Sequence, residues 1–369
     1  MAIRWGAGGE TSVGGTMSRR VRAVLSATAV ACAITAALPG AASADPASTL
    51  AAGVERISVA ADGTQGDGDS TGASITPDGR SVVFASSATN LTPEGTTDGD
   101  RVYVRDRRTA LTKQMGAYVP VQAPVISGNG GYVAYPLQWF NDIRIRQYQV
   151  ATGATASVDC SAHSCGQPSL NGDGRYVAHV IRFKPPLTGQ RVELQGWSDR
   201  FTVADLPHTA PSRPSVSGDA RTVAYQDGQN QDVYVWNRTT GTTTGPLEGA
   251  AVAATLVQLS DDGTKVVYLS GPDTYVHDIP TATSRQVPNV RGLAIDPTGR
   301  YLLHTPDGTS LVLRDLQSAT EETVTTHPAT AGPDSVTTGG RDVVFHSLSD
   351  ALVPGDTNGR SDVFIHHFY

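Results

Sequence analysis

A short phrase that recurs seven times along the chain constrains the fold more than any other feature. In its first copy, residues 73–84 (ASITPDGRSVVF), an Asp-Gly pair separates two apolar segments. Glycine supplies the positive φ angle that a tight hairpin between twisted strands requires, so the phrase predicts a β-hairpin. The turn position is held by Gly79, Gly130, Gly174, Ala220, Gly263, Gly299 and Gly340.

The spacing of these turns predicts the architecture. Successive copies lie 51, 44, 46, 43, 36 and 41 residues apart. Each copy continues into a third strand, such as 102–106 or 232–237, and then into a more polar fourth strand. A period of about 40–45 residues with four strands per unit is typical of a β-propeller. We therefore predict an all-β fold, a single seven-bladed β-propeller of four-stranded blades spanning residues 54–369.

The two ends of the predicted propeller complement each other. The seventh unit stops after its third strand, at Tyr369, and an unpaired strand at residues 54–60 precedes the first unit. We expect this strand to become the fourth strand of the last blade, because closing the ring removes exposed sheet edges. The third unit is the least regular, with Pro185-Pro186 followed by predicted strands at 191–195 and 200–205.

The N-terminus has the pattern of an export signal. A basic segment begins at Met17, an apolar run covers 23–38, and Ala42-Ser43-Ala44 matches a cleavage box. We predict a signal peptide at residues 1–44, translation from Met17, cleavage after Ala44 and a short flexible stretch at 45–53. A membrane anchor is the alternative, but the apolar run is shorter than the ~20 residues of a span. A lipoprotein signal at Cys32 is a further alternative, and the residues before that cysteine fit it poorly.

Charge limits the classes of partner. The chain has 28 basic and 35 acidic residues, and residues 1–44 contain four of the arginines and one of the glutamates. The processed chain would therefore carry a net charge of −10. An acidic chain without a basic stripe is a poor ligand for nucleic acids and anionic membranes. We expect a secreted monomer without a membrane span whose partner is a protein or a glycan, with the cell envelope as the alternative location.

Two cysteines, Cys160 and Cys165, follow the predicted signal peptide. In an exported chain this pair predicts a disulfide across a short loop. A metal site made of both thiols and His163 is the alternative. It is one ligand short of a closed zinc site, and export disfavours free thiols.

The repeat resembles a known family. The signature Ser-x-Asp-Gly-Arg-x-Val-x-Phe, followed by Val-Tyr-Val-x-Asp, resembles the WD-like repeats of TolB-type propellers. The closing phrase at residues 352–364 is similar to that of exported TolB-like propellers of GC-rich Gram-positive bacteria. The resemblance covers nearly the whole processed chain. It implies a propeller that serves more often as a binding scaffold than as a catalyst.

Several polar residues recur at, or depart from, one position of the repeat. In four units the third strand ends on an acid or an amide: Asp106, Asn237, Asp278 and Asp315. Each of these side chains is explained by a local role, the capping of the turn that follows the strand. His179 and His304 replace the aromatic residue that ends the second strand elsewhere, and we expect buried imidazoles satisfied by hydrogen bonds. They belong to units three and six, so they should not form one site, and His346 should face the other side of its blade.

One loop offers oxygen ligands at short spacing. Asp356, Asn358 and Asp362 are calcium candidates, although the match to an EF-hand loop lacks the second acid and the distal glutamate. An ordinary polar loop is the favoured alternative. No catalytic elbow, zinc helix, phosphate loop or dinucleotide fingerprint occurs, so we assign no catalytic residue and no other cofactor.

Two functions follow from these observations. The first is an exported, non-catalytic propeller that binds a protein or glycan at a rim or channel face, where propeller loops concentrate. The alternative is a propeller-fold lyase or hydrolase that acts on an extracellular polymer. The alternative requires ionisable side chains from different blades to converge near the axis.

Overall fold

Seven antiparallel sheets form the described part of the chain. The computed structural model describes residues 53–95, 99–205, 210–227 and 231–368. The predicted signal peptide at residues 1–44 lies outside the described residues. Among the described residues, no helix has the length and apolar character needed to cross a bilayer.

Six of the blades contain four strands each, and each strand pairs with the next one in the chain. Blade 1 comprises β2 (Ser70–Ile75), β3 (Ser81–Ser86), β4 (Arg101–Asp106) and β5 (Leu111–Gln114). Blade 2 comprises β6 (Val125–Ile126), β7 (Tyr132–Trp139), β8 (Asp142–Gln149) and β9 (Thr155–Ser157). Blade 3 comprises β10 (Ser164–Leu170), β11 (Val177–Arg182), β12 (Gln190–Gln195) and β13 (Arg200–Ala204).

The second half of the ring repeats this order. Blade 4 comprises β14 (Pro211–Val216), β15 (Thr222–Asp227), β16 (Asp232–Asn237) and β17 (Thr243–Thr244). Blade 5 comprises β18 (Thr255–Leu259), β19 (Lys265–Ser270), β20 (Asp273–Asp278) and β21 (Thr283–Val287). Blade 6 comprises β22 (Arg291–Ile295), β23 (Tyr301–Thr305), β24 (Leu311–Asp315) and β25 (Glu321–Thr325).

The seventh blade joins the two ends of the propeller. It consists of β26 (Asp342–Ser347), β27 (Asp362–His367) and β1 (Gly53–Arg56). Its innermost segment makes two single bridges to β26, at Thr330 and Val336, and a 3₁₀ turn follows at Thr338–Gly340. Strand β1 runs antiparallel to β27, from Gly53 opposite His367 to Arg56 opposite Phe364. The N-terminal strand thus completes the last blade. It ends at Arg56 rather than at residue 60, because Val59 pairs with Gln65 in its own small bridge.

The predicted hairpin turns all have the required backbone conformation. The seven turn residues have φ between 56° and 74°, including Ala220 at 56°. We call the side of the ring that carries these turns the turn face and the opposite side the loop face. On the turn face, backbone hydrogen bonds join neighbouring blades: Asn129 to Gly172, Gly172 to Gly218, Gly218 to Asp261, Asp262 to Pro297 and Thr338 to Pro77. These bonds tie the inner ends of the blades together.

The core lies between the blades. Every residue of β3 is buried, as expected for a second strand that packs on both faces. In five blades a ring on the second strand stacks on a ring on the third. These pairs are Phe84–Tyr103, Tyr135–Tyr148, Tyr225–Tyr234, Tyr268–Tyr275 and Phe345–Phe364, with centroids 5.2–5.8 Å apart. Blades 3 and 6 have His179 and His304 at this position instead.

Candidate functional site at the mouth of the axial channel

The innermost strands surround a channel that opens on the loop face. Its mouth is a cavity of about 370 Å³ whose wall comes from blades 1, 2, 3, 4, 5 and 7. Most of the wall consists of glycine, alanine, proline, valine and serine, and three ionisable residues join it: Arg213, Asp334 and His346. Small-molecule sites are typically cavities of about 300–1,000 Å³ with mainly apolar walls and a few polar groups. The mouth meets this description at its lower limit of size.

Below the mouth the channel narrows to a constriction of about 20 Å³. Gln258 is buried there, and its Nε2 donates to Asp334 Oδ1 over 2.8 Å. The Gln258 Oε1 accepts the backbone N–H of Ile295 at 3.0 Å and that of Asp334 at 3.3 Å. One amide side chain therefore links blades 5, 6 and 7 and holds the floor of the mouth in place.

The floor binds protons near neutral pH. Burial raises the pKa of Asp334 to about 6. Burial also raises the pKa of Asp261 to about 7, and the neighbouring charges of Asp334, Asp262 and Asp296 add to this effect. The floor therefore loses negative charge in mildly acidic solution.

The rim of the mouth carries a free cation. Arg213 is exposed and forms no ion pair with the described residues, while its backbone N–H donates to Gln167 Oε1 at 2.7 Å. His346 is partly buried, and its backbone pairs with Thr330 on the innermost segment of blade 7. Burial lowers the pKa of the His346 imidazole, which keeps it neutral at neutral pH. The mouth thus combines a guanidinium, a neutral imidazole and a carboxyl of raised pKa.

The two histidines that replace aromatic residues lie elsewhere. His179 and His304 are 0% and 1% exposed, in blades 3 and 6, and neither belongs to the channel wall. The His179 ring has one long contact, 3.4 Å from Nδ1 to the Val177 oxygen, and its Nε2 has no hydrogen-bond partner in the described part of the chain. His304 Nε2 has one long contact, 3.4 Å to Glu321 Oε1. Both imidazoles are buried, and each has a single long contact, so the prediction of satisfied imidazoles is met in part for both.

The recurrent third-strand residues cap turns, as predicted. Asp106 Oδ1 accepts the backbone N–H groups of Arg108 and Thr109 at 3.0 and 3.1 Å. Asn237, Asp278 and Asp315 accept equivalent backbone bonds. Their oxygens are committed to the fold, so these residues are not catalytic candidates.

The calcium candidates converge on an arginine. Arg56 lies 3.2 Å from Asp356 Oδ2 and 3.6 Å from Asp362 Oδ2, and all three side chains are at least nine-tenths buried. Gln65 Nε2 donates to Asp356 Oδ1 and Asp362 Oδ2 at 2.7 and 2.9 Å. Asn358 uses its Nδ2 on the Gly66 oxygen at 2.7 Å. Donors already occupy the carboxylate oxygens, so this geometry does not support a calcium site.

The two cysteines form the predicted disulfide. Both are buried, and their Cα atoms lie 5.7 Å apart. His163 is not a third ligand, because its ring packs on Phe183 and its Nδ1 accepts the Lys184 N–H at 3.2 Å. Within the part of the chain that the structure describes, no three His, Cys, Asp or Glu side chains are grouped to hold a metal ion.

Sequence reasoning missed the residues that make the mouth polar. Asp334 occupies the repeat position of Ala73 and Pro124, and Gln258 occupies that of Ser74 and Ser215. Arg213 stands at the position of Gly72 in blade 1. The available signal was a departure from the repeat on the innermost strand, where a small or apolar residue is usual.

Fold and site together define the class of protein. The chain is a seven-bladed β-propeller, which confirms the fold that the TolB-like repeats implied, and its channel mouth is a cavity of ligand size. Comparison with protein-family models and with curated proteins finds no match.

Solved structures share the fold. An oligogalacturonate lyase in complex with manganese is 15% identical, with a TM-score of 0.62 over 87% of this chain and 94% of that chain. The oligogalacturonate lyase of Vibrio parahaemolyticus is 14% identical, with a TM-score of 0.61 and the same coverage of both chains. A prolyl endopeptidase is 12% identical, with a TM-score of 0.57 over 81% of this chain and 50% of that chain. At these identities the likeness establishes the fold alone.

Proposed function

We propose that the protein binds the end of an acidic saccharide at the mouth of the axial channel. One observation carries the proposal: a mainly apolar cavity of about 370 Å³ has Asp334 and His346 in its wall and, at its rim, Arg213 with no ion-pair partner among the described residues. The apolar wall suits the C–H faces of a sugar ring. Asp334 and His346 offer hydrogen-bonding groups to its hydroxyls.

Arg213 decides the charge of the ligand. A guanidinium pairs with a carboxylate through two parallel N–H···O bonds, which fix orientation as well as charge. The fold likeness to two oligogalacturonate lyases supports an acidic saccharide as the ligand class. Because the pKa of Asp334 is raised to about 6, its negative charge opposes an anionic ligand above that pH and is lost below it. Binding should therefore tighten as pH falls through about 6.

Binding of trigalacturonate, with neutral galactotriose as the comparison ligand, tests the proposal by titration calorimetry. The wild-type protein should bind the acidic trimer more tightly than the neutral one. Arg213→Gln should lose this preference, since the carboxylate loses its partner. Arg221→Gln, on the turn face, is the matched control and should bind like the wild type. Equal affinity of Arg213→Gln and the wild type, or absence of binding to both trimers, would overturn the proposal.

Eliminative cleavage of the same saccharide is a second candidate, favoured by the imidazole in the mouth. His346 is neutral at neutral pH and suits the removal of the proton on the carbon next to the carboxylate. The electron pair left on that carbon forms a double bond as the neighbouring C–O bond breaks, and protonated Asp334 supplies the proton to the departing oxygen. Arg213 stabilises the charge that develops on the carboxylate.

The ultraviolet absorbance of the new double bond measures this reaction. Turnover of trigalacturonate by the wild type, and its loss in His346→Gln with binding retained, is the expected result. A wild-type protein that binds the trimer without forming unsaturated product would exclude elimination and leave a binding protein.

A further inference from the structure

A second cleft lies on the turn face, between blades 2 and 3. It measures about 400 Å³, which is slightly larger than the channel mouth. Its walls are the outer strand β9, the hairpin turn at Arg175 and the turn between β12 and β13, which carries Trp197. The fold does not require a cavity here.

An exposed indole dominates the cleft. Trp197 is 62% exposed, its ring centre lies 5.8 Å from that of Tyr132, and the two rings meet edge to face. The Arg175 guanidinium carbon lies 5.4 Å from the same indole. Large aromatic side chains on a soluble protein are normally buried. A tryptophan left open within a concave site is an anchor for a ligand.

The turn that presents Trp197 is rigid. The Gly196 N–H donates to the Asp199 oxygen at 2.8 Å, and the Tyr176 hydroxyl donates to Asp199 Oδ2 at 2.8 Å. A Cβ atom at Gly196 would lie 2.6 Å from the Tyr176 ring, so glycine is required there. A ligand that stacks on Trp197 therefore loses little affinity to ordering of the loop.

This turn departs from the pattern of the other blades. Four blades have an Asp or Asn that caps this turn, whereas the strand register puts Gly196, between Gln195 and Trp197, at the same position in blade 3. The Gln195 Oε1 accepts the Asp159 N–H at 3.1 Å, while its amide NH₂ has no partner among the described residues. Gln149 is similar: its Oε1 accepts from Thr152 Oγ1 at 2.7 Å, and its NH₂ is unpaired within the described chain. Two amide donors therefore face the cleft beside the indole.

We propose that this cleft binds a saccharide ring as an anchoring site, independent of the channel mouth. The C–H face of the ring stacks on Trp197, and its hydroxyls accept from Gln149, Gln195 and Arg175. The guanidinium of Arg175 disfavours a cationic ligand, and the amide donors disfavour an apolar one. This cleft and the channel mouth lie on opposite faces of the ring. A polymer held in the cleft of one protein molecule would therefore place its end in the channel mouth of a second molecule. Alternatively, the cleft would tether the protein to a glycan matrix.

The test is binding to insoluble cellulose, chitin, xylan and pectin, followed by titration of the soluble oligomer of whichever polymer retains the protein. Trp197→Ala should weaken binding by at least about tenfold, the usual scale for loss of a tryptophan anchor. Trp139→Ala removes an exposed indole from the loop face and should bind like the wild type. Arg221→Gln, at the equivalent hairpin turn of blade 4, should also bind like the wild type, because that exposed arginine lies outside the cleft.

Trp197→Phe and Arg175→Gln keep the test decisive if the alanine variant folds poorly, and each should weaken binding by a smaller factor. Wild-type affinity in Trp197→Ala with a native melting temperature would overturn the proposal. Failure of the wild type to bind any of the four polymers would do so too. Binding that is lost in Arg213→Gln and kept in Trp197→Ala would place the ligand at the channel mouth and equally reject this site.

Discussion

At the scale of single residues, the polar side chains of the hairpin turns serve the fold through local hydrogen bonds. Asp219 Oδ1 accepts the Arg221 N–H at 2.9 Å and the Ser217 hydroxyl at 2.7 Å. The Ser217 Oγ accepts the Thr222 N–H at 3.0 Å. Equivalent pairs recur in other blades: Thr76 with Asp78, Ser127 with Asn129 and Ser260 with Asp262. The acid or amide of these four turns is thus used by local hydrogen bonds, which explains why it recurs.

His179 shows the opposite case, in which one blade departs from the repeat. Burial lowers its pKa from 6.5 to about 4, so the folded protein holds a neutral imidazole where the unfolded chain takes up a proton. The unfolded state therefore binds more protons between pH 6.5 and 4, and stability falls as pH drops through that window. The slope approaches about 1.4 kcal/mol per pH unit.

We expect His179→Phe to flatten this part of the stability profile. Phenylalanine occupies the position in blades 1 and 7, so the ring suits the site and removes the unpaired Nε2. Urea unfolding across the acidic range measures the effect. His179→Gln is the control that removes titration without adding an aromatic ring, and it should flatten the profile as well. Parallel profiles for the wild type and both variants would contradict the assignment.

At the scale of elements, strand β1 is held by charge as well as by its ladder with β27. Arg56 pairs with Asp356 and Asp362 while all three side chains are largely excluded from water. Removing one partner of a buried pair leaves an uncompensated charge, and such changes typically cost about 3–5 kcal/mol. The pKa of Asp362 is already raised by burial, which indicates how poorly this site tolerates an unpaired carboxylate.

Arg56→Met should therefore lower the free energy of unfolding by about 3–5 kcal/mol. Arg80→Met is the control: its ion pair with Asp106 is exposed and should contribute at most about 1 kcal/mol. Chemical denaturation compares the two variants. Added calcium should leave the wild-type melting temperature unchanged, because Arg56 and Gln65 occupy the carboxylate oxygens. A rise in melting temperature with calcium would reinstate the metal site.

At the scale of the whole molecule, the ring depends on the meeting of its two ends. The pairing of β1 with β27 covers the edge of the seventh blade. An uncovered strand edge is a template for pairing with another chain. Ile57, which is 0% exposed, also contributes to the core between the last and first blades. Closure thus protects both an edge and part of the core.

A chain that begins at Ser58 should lose this closure. We expect a broader, earlier thermal transition and oligomers formed through the free β27 edge, detected by light scattering after size-exclusion chromatography. A chain that begins at Gly53 keeps β1 and is the matched control, expected to stay monomeric. A Ser58 chain that is monomeric with an unchanged melting temperature would show that the ring does not need its N-terminal strand.

Local signals account for the parts of the structure that were predicted. The Asp-Gly turns, the irregular strands of blade 3 and the disulfide each depend on residues within about one blade length of sequence, and each was found where expected. The strand β1 was predicted too long because Val59 pairs with Gln65, a contact that strand propensity does not show. The calcium hypothesis is not supported, because Asp356 and Asp362 pair with Arg56, which lies about 300 residues earlier in the sequence.

The sequence by itself determined the number of blades, their order and the turn chemistry, because these features depend on residues that lie within each repeat. Only the tertiary structure decided which departures from the repeat meet. Arg213, Asp334 and His346 come from blades 4 and 7, and they share a cavity only because the closed ring directs every innermost strand at one axis. Trp197 becomes a candidate anchor only beside Tyr132 and Arg175, across a blade interface. The physical reason is that repeat spacing sets local geometry, whereas a site depends on the convergence of side chains from distant segments.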